Sequence, residues 1–425
     1  MMALSIHDLE RPRALALGRM AEFIFAVVAS FIYGTQAIQM LLGSTDQMTS
    51  GRPIAVHLTF GVLYAITILF LITDYRFITT LWNRKLILIL LIFPLLSIIW
   101  SIRPAETVQR AVAGFGSGLF GLYLFWRFGL SVVIRILAVA MTGAAVASLL
   151  VALFLPKIGL MVDETWVGAW RGLYFHKNSL GAAIALASIL LVFVIAADNR
   201  GAFRLLAFFG LGICALLLIG SRSMTALFVT ATCLALVIWA RGVQRAANVY
   251  VTITLVGLFA LIIFLALWLS LTSLDDVFLS LGKKAGMSGR FPLWEQVIYF
   301  IGQRPLLGYG YEAFWATDAI ETRMIAAVIR YTPFYSHNGL LEILLTGGVV
   351  LATLVGLFLL LYAFNAWRFA RRFPNAAIAT LPLVFFGFLL LADISESHLL
   401  VRNDLIWSVT LGLAMRVTLQ ERVEA

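Results

Sequence analysis

Charged residues are scarce in this chain of 425 residues. Asp, Glu, Lys and Arg make up 12% of the sequence, about half the share found in a soluble protein. Apolar runs recur along the whole length, and several reach the roughly 20 residues that a membrane span requires. No soluble domain of useful size remains between them. The composition therefore predicts an all-α, polytopic membrane protein in which residues 1–425 form a single transmembrane domain.

The sequence also lacks the motifs of several enzyme classes. Its two cysteines, Cys214 and Cys233, lie inside apolar runs and predict no disulfide framework. There is no Gly-rich phosphate loop and no G-x-S-x-G elbow, which argues against a nucleotide-driven enzyme. No spacing brings together the three or four ligands of a metal site. We therefore expect a protein without metal or other cofactor.

The apolar runs predict about twelve transmembrane helices. They lie at roughly 21–42, 54–72, 86–101, 108–126, 132–155, 179–197, 203–220, 224–240, 249–271, 338–364, 376–392 and 402–419. An even number places both termini on one side of the membrane. The N-terminal tail and the loops on that side carry many cations, namely Arg11, Arg13, Arg19, Arg76, Arg84, Lys85, Arg200, Arg204, Arg241, Arg245, Arg368, Arg371 and Arg372. The positive-inside rule makes it cytoplasmic and explains the net charge of +10 without nucleic acid.

Residues 272–337 form a long loop on the outer side, between the ninth and tenth spans. Loops of this length are uncommon and usually functional. The segment "FPLWEQVIYFIG" places Leu293, Trp294, Val297, Ile298 and Ile301 on one helical face, which predicts an amphipathic helix. A second helix is expected at about 311–330. The loop is therefore predicted to fold as a lid of two helices.

His337 stands immediately before the tenth span. The free N–H groups of a helix start favour an uncharged imidazole that can accept a proton. A histidine that merely caps the helix at the membrane interface is the alternative. Glu342 follows one turn into the same span, where a buried carboxylate needs a partner. We expect either an arginine beside it or a role in orienting His337.

Several cations lie on the outer face, against the charge bias of the loops. They are Arg171, Lys177, Arg222, Arg290 and Arg304. Each alone is typical of a side chain that reaches for lipid headgroups. Together they favour a diphosphate, which arginine binds through paired charge-assisted hydrogen bonds. The last outer loop, "DISESHLL", adds Asp393, Glu396 and His398, for which the sequence indicates no role.

Four short motifs, in order, resemble the superfamily of O-antigen ligases and of O-antigen and exopolysaccharide polymerases. They are "YFHKNSLGAA" at 174–183, "GSRS" at 220–223, "SGRFPLWEQ" with "RPLLGYGYEAF" at 288–314, and "SHNGLLEILLTGG" at 336–348. The resemblance covers about 170–350. Leu351 stands where ligases often have a small residue, and "FHKNSLG" is more similar to the exopolysaccharide-production polymerases.

The resemblance implies a membrane glycosyltransferase of the bacterial inner membrane with a periplasmic active site. Such enzymes transfer a glycan from undecaprenyl diphosphate to an acceptor hydroxyl, with inversion and without metal. By motif, His337 would be the general base, and Arg290 and Arg222, with Arg171 and Lys177, would hold the diphosphate. Glu342, Arg304 and Asn338 would support them. A chain-length regulator is a possible protein partner of a polymerase.

Three functions remain open at this level. A polymerase would join lipid-linked repeat units, whereas a ligase would transfer the glycan to lipid A-core. A transporter or flippase for lipid-linked sugars would instead carry charges deep in several spans. Interior charges are few here, and polar residues crowd one face. This argues against the transporter, and the "FHKNSLG" motif and Leu351 lead us to favour the polymerase over the ligase.

Overall fold

The structure is a computed structural model that describes residues 13–42, 54–162, 166–197, 201–246, 290–316 and 318–419. Over these residues the fold is helical, and the only extended pairing is an isolated antiparallel bridge between Leu160 and Trp170. The predicted span at 249–271 and the first part of the outer loop, 272–289, lie outside the described residues.

The described residues form sixteen α-helices. In chain order they are α1 Arg13–Gly34, α2 Ala37–Leu41, α3 Ile54–Ile72, α4 Tyr75–Asn83, α5 Lys85–Leu96, α6 Pro104–Arg127, α7 Leu130–Phe154, α8 Pro156–Gly159, α9 Lys177–Ala197, α10 Gly201–Ser221, α11 Met224–Arg245, α12 Arg290–Gln303, α13 Ile320–Ile329, α14 Gly339–Arg372, α15 Leu381–Ser395 and α16 Leu405–Arg416. Short 3-10 turns at Ser97–Ile99 and Ala377–Thr380 follow α5 and precede α15.

Seven segments in the described part of the chain are long and apolar enough to cross a membrane: Ile54–Ile72, Leu130–Phe154, Lys177–Ala197, Gly201–Ser221, Met224–Arg245, Gly339–Arg372 and Ala377–Ile394. The pair Tyr75–Asn83 and Lys85–Ile99 adds an eighth if its 94° bend lies within one span. Helix α16 has only 12 residues, and α6 carries Glu106, Arg110 and Arg127. A polytopic helical protein is thus observed, and the count of twelve stays a prediction.

Small residues set a close helix contact, between α6 and α16. A Cβ atom on Gly121 would lie 1.7 Å from the carbonyl oxygen of Ser408, so only glycine permits this approach. The Ser408 hydroxyl in turn donates to the Ser117 carbonyl at 2.8 Å. The hydrophobic effect does not drive helices together in lipid, because the lipid tails are as apolar as the side chains. Such small-residue contacts and hydrogen bonds therefore hold the spans together. This contact fixes the start of α16 beside the polar end of the bundle.

The lid has its own small core. Leu293 and Val297 of α12 are fully buried against Phe300, Phe314 and Leu345. Two details differ from the sequence prediction, since Ile298 is 59% exposed and α13 begins at Ile320 rather than near residue 311. The segment before α13 is held in turns, and its aromatic side chains fill the lid core. The division into one transmembrane domain and a lid loop at 272–337 stays a prediction.

Helix α14 breaks at Gly347–Gly348, and the chain before the lid's second helix fills the break. Gly348 has φ +59°, and a Cβ atom there would lie 2.3 Å from the Leu306 carbonyl carbon. The freed backbone groups bond to this loop: the Tyr309 N–H donates to the Leu345 carbonyl at 2.7 Å, and the Val349 N–H donates to the Pro305 carbonyl at 2.8 Å. Irregular backbone within a span needs such protein partners. The glycine pair therefore anchors the lid to the bundle.

The ends of five helices meet beneath the lid. Helices α9, α11 and α14 begin there, and α10 and α15 end there. At the opposite end, the Gln244 side chain near the end of α11 donates to the carbonyls of Phe373 and Ala376, just after α14. Polar residues from distant parts of the chain are thus collected at one end of the bundle. That this end faces the periplasm stays a prediction.

Candidate functional site

The buried carboxylate of Glu396, just after α15, is the centre of the polar cluster. The Tyr335 hydroxyl donates to it at 2.5 Å and the Asn178 amide at 3.2 Å. Arg290 Nη2 lies 3.9 Å from Oε1, and His337 Nδ1 lies 3.7 Å from Oε2. Glu396 thereby joins the start of α9, the start of the lid helix α12 and the segment before α14.

His337 has a left-handed backbone conformation, with φ +54°. Such a conformation costs on the order of 1–3 kcal/mol outside glycine and persists where neighbouring contacts fix it. The Trp294 indole of the lid donates to the Ser336 carbonyl at 2.8 Å on one side. On the other side, the Asn338 side chain caps α14 by accepting from the Leu341 N–H at 3.2 Å. The ring is therefore positioned by the lid and by the helix start together.

The imidazole of His337 has one nitrogen facing the carboxylate. Its Nδ1 has no hydrogen-bond partner among the described residues, and the 3.7 Å to Glu396 exceeds hydrogen-bond range. The ring also packs on Tyr335, with centroids 4.1 Å apart, and the side chain is 24% exposed. A proton on Nδ1 is favoured by the nearby carboxylate, which leaves the lone pair on Nε2. This arrangement suits a base that acts through Nε2.

Glu396 stays ionised despite its burial. Burial alone would raise the pKa of this carboxyl, but His337, Tyr335 and Arg290 together lower it to about 2. The pKa of the Tyr335 hydroxyl is raised, first by its own burial and then by the charge of Glu396. Tyr335 therefore remains a hydrogen-bond donor to a charged carboxylate.

Glu342 does not have the arginine partner that we considered. Its carboxylate accepts hydrogen bonds from the Trp315 indole at 2.9 and 3.1 Å and from the Ser336 N–H. Among the hydrogen bonds to Glu342 in the described residues, none is donated by a lysine, arginine or histidine side chain. Glu342 instead holds the lid core and the residue that precedes His337. Its influence on the histidine is thus through the backbone.

Lys177 and Arg222 lie at the start of α9 and in the turn between α10 and α11. Lys177 is buried, donates to the Arg222 carbonyl at 3.3 Å and lies 3.4 Å from the centre of the Trp166 ring. The Ser223 hydroxyl donates to Asn178 at 3.0 Å, and Asn178 reaches Glu396. The turn is therefore tied to the cluster through the Arg222 carbonyl and the Ser223 hydroxyl, while the Arg222 side chain is exposed.

The contacts of Arg171 and Arg304 are with the loop and the lid. Arg171 donates through Nε to the Ile158 carbonyl at 2.8 Å and through Nη1 to the Phe175 carbonyl at 3.4 Å. Arg304 lies over the Tyr309 ring at 5.2 Å. These contacts give both arginines a part in holding local structure. Their participation in diphosphate binding stays a prediction.

A cavity of about 280 Å³ adjoins Glu396 and is lined by residues of α1, α6, α7, α9, α14 and α16. Tyr335, Glu396 and Trp315 form part of its wall, whereas His337, Arg290 and Arg222 do not line it. The roles that the sequence motifs imply for His337, Arg290 and Arg222 require the three side chains to share one chamber. The structure brings His337 and Arg290 together around Glu396, and the cavity adjoins this group.

Residues 207–355 match the O-antigen ligase family. The matched segment contains Arg222, Arg290 and His337, three of the residues that the sequence motifs singled out. The predicted resemblance to the superfamily of O-antigen ligases and polymerases is thereby confirmed. No curated protein matches the chain at a significant level.

The O-antigen ligase segment ends before Glu396, which sequence reasoning placed in an outer loop without a role. The signal available was "DISESHLL", two carboxylates and a histidine directly after an apolar run. Tyr335 gave no signal beyond its place two residues before His337. In the described ranges, no group of three or more His, Cys, Asp or Glu side chains is arranged to hold a metal ion. The expectation of metal-free chemistry stays a prediction.

Proposed function

We propose that this protein is a membrane glycosyltransferase that polymerises lipid-linked glycan repeat units. Its substrate is an oligosaccharide on undecaprenyl diphosphate, used at the periplasmic face of the bacterial inner membrane. The observation that carries the proposal is the buried Glu396, which lies against both His337 and Arg290 at the lidded end of the bundle. The match to the O-antigen ligase family supports enzymes that act on lipid-linked glycans.

His337 acts as the general base in this proposal. As the acceptor hydroxyl attacks the anomeric carbon, its proton moves to Nε2 of His337. The imidazole then carries a positive charge that the carboxylate of Glu396, 3.7 Å from Nδ1, stabilises. A buried carboxylate behind a histidine orients the ring and stabilises the imidazolium in the same way in other enzymes.

Arginines stabilise the leaving group. The bond between the anomeric carbon and the diphosphate oxygen breaks, and undecaprenyl diphosphate departs with the electron pair. Arg290, held loosely by Glu396 at 3.9 Å, and the exposed Arg222 supply charge and paired donors for the developing negative charge. The diphosphate already activates the donor, so the reaction needs no nucleotide. A single displacement of this kind inverts the anomeric configuration.

The lid shields the reacting bond from water. Its helix α12 begins at Arg290 and, through Trp294, contacts the backbone beside His337. Exclusion of water protects an activated donor from hydrolysis and strengthens the charge interactions around it. One element thus links binding of the diphosphate to the position of the base.

A ligase that transfers the glycan to lipid A-core is the second candidate, and the description of the matching family favours it. Leu351 supports the polymerase. This side chain is fully buried and lines the cavity beside Glu396. A large residue here narrows the space available to an acceptor. A polymerase of this kind would work with a chain-length regulator.

A deletion strain distinguishes the two candidates. We expect loss of the gene to abolish secreted polymer, with single repeat units left on the lipid carrier. A ligase would instead leave long lipid-linked chains and lipid A-core without attached glycan. Complementation with wild-type protein, but not with His337→Asn, should restore polymer. Asparagine tolerates a positive φ, so this variant removes the base without adding backbone strain.

A further inference from the structure

The carboxylate of Glu396 is only loosely paired with its arginine. Arg290 Nη2 lies 3.9 Å from Oε1, beyond hydrogen-bond distance. The ion pair between α1 and the end of α6 is different, because Arg127 binds both oxygens of Glu22, at 2.7 and 3.0 Å. Paired charge-assisted bonds of that kind are frequent between arginine and a carboxylate. The Glu396 oxygen that faces Arg290 is instead bonded to another side chain.

That side chain is Asn178, near the start of α9. Its amide nitrogen Nδ2 donates to the same Oε1 atom at 3.2 Å, closer than Arg290. The other oxygen, Oε2, accepts a hydrogen bond from the Tyr335 hydroxyl at 2.5 Å, which is closer than His337 at 3.7 Å. Each oxygen of Glu396 is thus bonded to a neutral donor, while the arginine and the histidine stay outside hydrogen-bond range.

The amide of Asn178 has one orientation that satisfies both of its neighbours. A carboxylate only accepts hydrogen bonds, so the NH2 group of the amide must face Glu396. The Asn178 oxygen then accepts from the Ser223 hydroxyl at 3.0 Å. The Ser223 oxygen itself accepts from the Ala226 N–H at 3.3 Å, at the start of α11, which leaves the Ser223 proton for Asn178. The amide is therefore held at both ends.

This amide lies between the two elements that carry the diphosphate-binding arginines of the proposed mechanism. Ser223 follows Arg222 in the turn between α10 and α11, and Arg290 begins the lid helix α12. Lys177, the neighbour of Asn178, donates to the Arg222 carbonyl at 3.3 Å. The start of α9 therefore holds this turn through two adjacent side chains, and one of them also holds the carboxylate beside Arg290.

We propose that Asn178 is a positioning residue that keeps Arg290 available for the donor diphosphate. By holding Oε1 of Glu396, the neutral amide prevents the guanidinium from closing into a bidentate pair with the carboxylate. Such a pair would turn the donors of Arg290 away from the diphosphate and would neutralise the charge that stabilises the leaving group. This inference rests on the proposed function, because it requires that Arg290 binds the diphosphate.

The test measures the binding of undecaprenyl diphosphate to the purified full-length protein in nanodiscs. Asn178→Leu keeps the size of the side chain and removes the donor. We expect it to weaken binding about tenfold, because Arg290 then pairs with Glu396 and the diphosphate loses a charge-assisted hydrogen bond. The informative variant combines Asn178→Leu with Glu396→Gln. The carboxylate that captures Arg290 is then absent, so the affinity should return to within about twofold of that of Glu396→Gln alone.

Two control variants complete the design. Asn375→Leu makes the same change at an exposed position in the turn after α14, at the opposite end of the bundle, and should leave the affinity unchanged. Arg290→Gln removes the guanidinium itself and should weaken binding at least as much as Asn178→Leu. Thermal unfolding shows whether each variant is folded, and Asn178→Val, which also lacks a donor, replaces Asn178→Leu if the latter is not.

The outcomes separate this inference from the proposed function. Affinity restored in the double variant supports the role of Asn178, because removal of the Glu396 charge would not repair a merely structural defect. Unchanged binding in the folded Asn178 variant, or equal weakening with and without the carboxylate, overturns that role, and a weaker Arg290→Gln leaves the proposed function in place. If Arg290→Gln binds undecaprenyl diphosphate as the wild type does, the diphosphate site of the proposed function is wrong and the role of Asn178 falls with it.

Discussion

Replacement of Glu396 by glutamine tests how the candidate base is supported. The change removes one negative charge but keeps the size of the side chain. The remaining amide oxygen can still accept a hydrogen bond from Tyr335 or Asn178. Two unit charges about 4 Å apart interact by about 4 kcal/mol at the effective dielectric constant of a partly buried site, and the carboxylate lies 3.7 Å from His337 Nδ1. Because about 1.36 kcal/mol corresponds to a tenfold change in rate, we expect glycan transfer to slow by about 10²–10³-fold.

The assay is single-turnover transfer from lipid-linked donor by purified protein in proteoliposomes. Glu295→Gln is the matched control, because it makes the same charge change at an exposed position of the lid helix and should leave the rate within about twofold of wild type. The affinity for undecaprenyl diphosphate should change little in Glu396→Gln, because Arg290 is retained. A folded Glu396→Gln protein that transfers glycan at the rate of the control would refute the role of this carboxylate.

Three further predictions concern the lid and the charge of Glu396. Gly348→Ala should lower the free energy of unfolding by more than about 1 kcal/mol, because Gly348 has φ +59° and the new methyl group would meet the Leu306 backbone. The control is Gly356→Ala, because the space around Gly356 in the same helix is open. Thermal unfolding should show that this control is neutral or slightly stabilising. Trp294→Phe removes the hydrogen bond to the Ser336 carbonyl beside His337. It should lower the free energy of unfolding by about 1 kcal/mol and should lower kcat more than it changes KM. An unchanged kcat would argue against positioning of His337 by the lid. The pKa of Glu396 is lowered from 4.5 to about 2, so its charge stabilises the fold fully above pH 4.5, and this contribution is lost as pH falls towards 2. The difference in unfolding free energy between wild type and Glu396→Gln should therefore shrink between pH 4.5 and pH 2. A difference that stays constant over this interval would contradict the lowered pKa.

Local sequence patterns were sufficient for most of the helices. The span predicted at 54–72 has those bounds in the structure, and α9 to α11 begin within two residues of their predicted starts. The break in α14 was not predicted, because Gly347–Gly348 lies in a continuous apolar run and hydropathy does not register backbone conformation. Only the docking of Pro305 and Leu306 against it shows why two glycines are needed.

Part of the candidate site could also be predicted from sequence. His337 and Arg290 were singled out because each stands at a helix start on the outer face, and the structure places both against one carboxylate. Glu396 could not be chosen, because its relation to His337 depends on how α15 packs beside α14, which no local pattern encodes. In the sequence, Glu342 was the better candidate, because it lies about one helical turn after His337, yet its side chain binds the Trp315 indole instead.

In the proposed mechanism, His337 removes the proton of the acceptor hydroxyl while undecaprenyl diphosphate leaves. The most direct measurement counts undecaprenyl diphosphate released and glycosidic bonds formed by purified protein in proteoliposomes, for wild type and for His337→Asn. We predict one diphosphate released per new bond, with inverted anomeric configuration, for the wild type, and a rate at least about 10²-fold lower for His337→Asn. A folded His337→Asn protein that forms bonds at the wild-type rate would contradict the account.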